Sequence, residues 1–135
     1  MKQTPLSAIM STNVVVANKF HNFSQVLELF SKFGVHHLPM VDGNNKLIGI
    51  ISSNDFMKIF TNPSFAGMPI NIDELDKKIN LTDIMTPSPK SLSPSSTVGD
   101  ALDVFSEKKF MALPITLDNE VVGIVSIKDI IDVLN

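Results

Sequence analysis

The apolar and polar positions of this chain fall into one pattern that is written twice. Phe23, Val26, Leu27 and Phe30 recur at i, i+3, i+4 and i+7, the spacing that lines one face of a helix. Val98, Ala101, Leu102 and Phe105 repeat it in the same register 75 positions later. Asn22, with Gln25 three residues on, signals a capping box for a helix over Phe23–Phe33, and Gly34 suits its C-terminal stop. The second helix is expected over Thr97–Lys108. Ahead of each helix lies a short apolar turn, Leu6-Ser7-Ala8-Ile9-Met10 or Leu81-Thr82-Asp83-Ile84-Met85, and then a short strand, Val14–Val16 or Lys90–Leu92. Behind each lie two strands, Val35–Val41 with Leu47–Ile51 and Met111–Ile115 with Val121–Val125. Asp42-Gly43-Asn44-Asn45 and Asp118-Asn119 turn between them. Pro39 and Pro114 hold equivalent places and, lacking an N–H for a ladder, mark a strand edge or end. A last helix is expected over Ser53–Thr61 and again over Ile127–Leu134.

Each copy thus reads strand, helix, strand, strand, helix, with one repeat over residues 6–60 and the other over 81–135. Residues 61–80 have no counterpart and form a linker. Asn62-Pro63 and Gly67-Met68-Pro69 break structure there, and a short helix is expected around Asp73–Lys78. One copy would bury its sheet poorly alone. The expected fold class is therefore α/β (α+β): tandem β-α-β-β-α repeats packed face to face with pseudo-two-fold symmetry. Leu29, Phe33, Ile59 and Val133 are left over on other helix faces, which suggests a partner surface and a homodimer.

Composition narrows the function. The net charge is −3, with eleven Lys and Arg scattered and no basic block, so nucleic acid is a poor fit. There is no Cys, which excludes disulfides, thiol catalysis and Cys-ligated zinc. His36 and His37 are adjacent on a strand and point to opposite faces, so no metal site is expected. No nucleophile–base pair or P-loop is visible, so no enzyme is expected. Met1-Lys2-Gln3-Thr4-Pro5 leads into no apolar stretch, and no run approaches the roughly 18 residues that span a bilayer. A soluble, cytoplasmic protein without a membrane partner is the expectation.

The most telling stretch is Gly123-Ile124-Val125-Ser126-Ile127-Lys128-Asp129, matched 74 positions earlier by Gly49-Ile50-Ile51-Ser52-Ser53-Asn54-Asp55. With Ile84-Met85-Thr86-Pro87, Leu113-Pro114 and their partners Ile9-Met10 and Leu38-Pro39, each half resembles a CBS domain, the module named after cystathionine β-synthase. The pair resembles a Bateman module. The resemblance implies a regulatory module with no cofactor that binds AMP, ADP, ATP or S-adenosylmethionine in clefts between the repeats, often as a dimer. The regulated protein is not identified by the sequence. The alternative is a dimerising interaction module with degenerate, ligand-free sites.

The ligand motif of the family falls on Ser126 and Asp129, and on Ser52 and Asp55. At a helix start, unpaired N–H groups and a positive dipole end welcome phosphate, and a carboxylate suits the ribose hydroxyls. The same Ser-x-x-Asp is also a helix-capping arrangement. Pro89 and Lys90 with Ala112, Leu113 and Pro114 are expected to line an adenine pocket in the second repeat. Val14 with His37 and Leu38 would do so in the first. Lys128 beside Asp129 offers a phosphate a cation where the first repeat has Asn54, so the second site is expected to bind more tightly.

Overall fold

The computed structural model describes residues 1–61 and 71–135; the breaks at Asn62-Pro63 and Gly67-Met68-Pro69 lie outside them. After a 3-10 turn at Leu6–Ala8 come β1 (Ala17–Asn18), α1 (Phe23–Phe33), β2 (His37–Val41), β3 (Leu47–Ser52) and α2 (Ser53–Met57). A 3-10 turn over Lys58–Thr61 continues α2. Then follow α3 (Ile72–Lys78), α4 (Leu81–Ile84), β4 (Thr86–Pro87), α5 (Val98–Ser106), β5 (Ala112–Leu117), β6 (Glu120–Ser126) and α6 (Ile127–Leu134). The mixed α/β class expected from the sequence is what forms. Local chemistry explains the helix ends. Asn22 and Gln25 close a full capping box on α1, and Gly34 adopts the left-handed conformation that ends it. Asp118 and Asn119, both with positive φ, make the two-residue turn between β5 and β6.

Two compact units form, and neither is a contiguous stretch of chain. The first-repeat unit comprises Val15–Gly43 and Ile48–Ser88, and the second-repeat unit comprises Met1–Val14, Asn44–Leu47 and Pro89–Asn135. Each core therefore takes in the short apolar turn that precedes the other repeat. In the first-repeat unit, Leu81 is buried with Phe23, Val26, Leu38, Met40, Ile51, Phe56 and Ile59, and Ile84 and Met85 pack against them. In the second-repeat unit, Leu6 is buried with Val98, Ala101, Leu113, Ile115, Val125 and Ile130, and Ile9 and Met10 pack against those. The cores differ in content. Phe23 stacks on Phe56 at 4.4 Å between ring centroids, with Phe60 edge-on at 5.8 Å, whereas the second core is aliphatic at the corresponding places.

Strand pairing repeats at the same spacing. β1 runs parallel to β2 through Ala17↔Met40, and Leu92 bridges in parallel to Ile115. β4 pairs antiparallel with β3 through Thr86↔Ile50, and Ser11 pairs likewise with Ile124. Three expectations are corrected here. The early strand is Ala17–Asn18 rather than Val14–Val16, and in the second repeat it shrinks to the single bridge at Leu92. Pro39 is buried inside β2, an inner strand, whereas Pro114 is buried in β5, which pairs with β6 on one side and meets only the Leu92 bridge on the other. Pro114 is tolerated because the Leu92 bridge uses only its carbonyl, which accepts from the Leu92 N–H at 3.2 Å. Ile59, read from the spacing as left over on an outer face, is buried. The tighter 3-10 winding after Met57 brings Ile59 round to the face that carries Phe56, three residues back.

Carbonyls and carboxylates satisfy the unpaired first-turn donors of the long helices. Val98 N–H donates to the Thr4 carbonyl and Gly99 N–H to that of Lys2, at 2.9 and 2.8 Å. On α1, Ser24 N–H and its hydroxyl both donate to the Asp76 carboxylate of α3, each at 2.7 Å.

Two glycines hold the exchanged segments in place. A Cβ on Gly123 would sit 2.6 Å from Met10 Sδ and 3.2 Å from the Ser11 carbonyl; one on Gly49 would strike Met85 and stand 3.0 Å from the Thr86 carbonyl. Gly123→Ala should therefore cost about 1–3 kcal/mol, net of its entropic benefit in the unfolded chain. Urea melts of Gly123→Ala with and without Met10→Ala check this: the double variant should lose less than the sum of the single losses.

Candidate functional site

Both Ser-x-x-Asp motifs stand where a strand runs directly into a helix. In the second repeat the register Ala112↔Ser126 sets Ala112 beside Ser126, and the Ile127 N–H donates to the Met111 carbonyl at 3.2 Å. Ser126 caps α6: its hydroxyl accepts from the Asp129 N–H at 3.2 Å, and Asp129 Oδ2 accepts from the Ser126 N–H at 2.8 Å. The capping arrangement is thus present in full, and it occupies one carboxylate oxygen. In the first repeat Ser53 N–H donates to the His36 carbonyl at 2.8 Å, and the Ser52 hydroxyl accepts from the Asp55 N–H at 3.0 Å. Here the carboxylate does not close the box. Asp55 Oδ1 instead takes the Lys58 ammonium at 3.2 Å.

The other expected residues divide by burial. Leu38, Leu113, Ala112 and Pro114 are buried, so Leu38 and Leu113 belong to the cores and offer a ligand only their backbone. Pro89 is half-buried and Lys90 exposed, and the chain reaches β5 two residues later at Leu92. Ser88, just before them, has φ 45°, a left-handed conformation that costs a side-chain-bearing residue about 1–2 kcal/mol. Val14 is half-buried and closes the first segment of the second-repeat unit, whereas Ser52, Asp55, His37 and Leu38 belong to the first-repeat unit.

Lys128 has its ion-pair partner elsewhere than Asp129. It reaches along its own helix to Asp132, 2.9 Å away, with 81% of its side chain exposed. That partner raises its pKa above the ordinary lysine value. The sequence reading missed Lys58, Ile59 and Ile84, which with Asp55 line a recess of about 240 Å³. The signal for Lys58 was available, since a residue three beyond Asp55 shares its helix face. Ile84 reaches the recess from the exchanged segment, which spacing alone does not reveal. Among the described residues, no cluster of three or more His, Asp or Glu is placed to hold a metal ion. No helix among them is long and apolar enough to cross a membrane.

His37 opens β2 and is half-buried. Burial, then the neighbouring His36, hold its pKa below the ordinary 6.5, and Asp55 partly opposes them. The unfolded chain then takes up this proton at higher pH than the folded one. Its contribution to stability is complete above about pH 6.5 and is lost as pH falls through the lowered folded value. Thermal melts between about pH 7.5 and 5.5 should show falling stability, and His37→Gln should flatten that slope.

Comparison with known proteins fits this geometry. The CBS domain profile matches residues 6–62 and 81–135, and the chain belongs to the CBS domain family. An uncharacterised 33.4 kDa protein of the ribosomal RNA operon of Thermofilum pendens is 27% identical over 107 residues, 79% of this chain and 32% of that protein. The chain thus spans about a third of that relative's length. The CBS domain pair of protein MJ0100, crystallised with 5′-methylthioadenosine and S-adenosyl-L-methionine, superposes with a TM-score of 0.81 at 25% identity, covering 97% of this chain and 95% of that one. CBSX2 of Arabidopsis thaliana, in complex with AMP, gives 0.79 at 24%, covering 97% and 96%.

Proposed function

We propose that this chain is a regulatory module, not an enzyme, that binds an adenosine-containing ligand through Ser52 and Asp55 and through Ser126 and Asp129. The observation that carries the reading is the doubled motif, held at a strand-to-helix junction in both repeats by the same backbone bond, Ser53 to His36 and Ile127 to Met111. Each motif presents a half-buried serine and a half-buried carboxylate at a helix start. The ligands seen in the MJ0100 pair and in CBSX2 support the adenosine class, with AMP, ADP, ATP or S-adenosylmethionine as candidates. A soluble cytoplasmic setting, a homodimer and a separate regulated protein complete the proposal.

A second reading has its own support. Asp129 is engaged in the capping box, and Phe33, Met57, Ile131 and Leu134 leave apolar surface exposed. A dimerising interaction module without ligand would use those surfaces alone. Thermal melts with AMP, ADP, ATP, S-adenosylmethionine and adenosine separate the two. Under the proposal a ligand at 100 times its Kd raises stability by about 2.7 kcal/mol. Asp55→Ala and Asp129→Ala, each compared with its own ligand-free melt, should each lose part of that rise. A chain that no adenosine ligand stabilises is an interaction module. A one-chain mass by light scattering at micromolar concentration would count against the dimer.

A further inference from the structure

The repeats share a motif carboxylate but carry opposite charges one helical turn beyond it. Three residues after Asp55 stands Lys58; three after Asp129 stands Asp132. Lys58 lies 3.2 Å from Asp55, while Asp132 draws Lys128 to 2.9 Å along α6. Over these helix starts, Asp55 and Lys58 cancel, with Asn54 neutral between them. Asp129 and Asp132 outnumber Lys128 by one. β2 of the first repeat starts with His37, and β5 of the second starts with Ala112.

We propose that the first repeat is the phosphate-accepting half of the chain. A phosphorylated adenosine sets its ribose hydroxyls on Asp55 and its phosphate on Lys58, while the second repeat, with Asp132 in that place, takes adenosine ligands that lack a phosphate. This rests on the reading that both motifs bind adenosine. The exchange of partners is chemically even. Lys58 leaves one oxyanion for another, and the two ribose O–H donors replace it on Asp55. A phosphomonoester carries about −1.5 to −2 charges at pH 7, which a lysine neutralises and a second carboxylate repels. With 75% of its side chain exposed, Lys58 is held by a weak surface pair, so it is free to turn. Asp55 and Lys58 open together onto one recess, with Ile59 and Ile84 as its apolar wall. The order reverses the one expected from Lys128, whose charge Asp132 engages.

Calorimetry on the full chain with AMP and with adenosine tests the assignment. Lys58→Gln should weaken AMP binding roughly two- to fivefold and Lys58→Glu on the order of tenfold, with adenosine affinity unchanged. Asp132→Lys should strengthen AMP binding at the other motif, and this gain should survive Asp55→Ala. The proposal is overturned if Lys58→Glu leaves the ratio of AMP to adenosine affinity unchanged, or weakens both equally. If neither ligand binds the unmodified chain, the adenosine reading itself falls, and this assignment with it.

Discussion

The close approach of a methionine to a glycine decides how the chain is put together. Met10 lies against Gly123 and Met85 against Gly49, and at both places even a methyl group on the glycine would overlap the thioether. The missing side chain lets the segment before one repeat press flat on the hairpin of the other. There Ser11 and Thr86 pair with strand residues, and Leu6 and Leu81 drop into the cores. The same glycines stand three residues before Ser126 and Ser52, so the packing that seats each exchanged segment also sets the strand that delivers each serine. Core and candidate site are braced by one contact.

Much of this could be read from the residues because it is local. The capping boxes at Asn22, Thr97 and Ser126, the left-handed stop at Gly34 and the turn at Asp118-Asn119 each depend on a few neighbours. What could not be read depends on distance along the chain or on winding. The 75-residue spacing shows that Leu6–Met10 and Leu81–Met85 are equivalent, but not which core each one fills. Apolar spacing placed Ile59 on an outer face because it assumed α-helical winding, and the 3-10 turn moved it inward. At the site, the contrast of Asn54 with Lys128 left Asp132 out of account. An i,i+4 carboxylate at Asp132 captures Lys128, a pairing that only the next turn of sequence discloses.

The repeats have diverged in two ways that bear on function. Their cores differ, with stacked phenylalanines in one and branched aliphatic residues in the other. Their motifs differ in how the aspartate is used, as part of a capping box in one and as the partner of a lysine in the other. The two repeats thus carry chemically unlike motifs.

The exchange of segments also bears on where the chain can be cut. A cut anywhere in the linker would leave each half holding a helical turn that belongs to the other's core and lacking one from its own. In the intact chain the linker keeps those turns at a high effective concentration near the cores they complete. Each core is therefore completed only when segments from both ends of the linker are present on one chain.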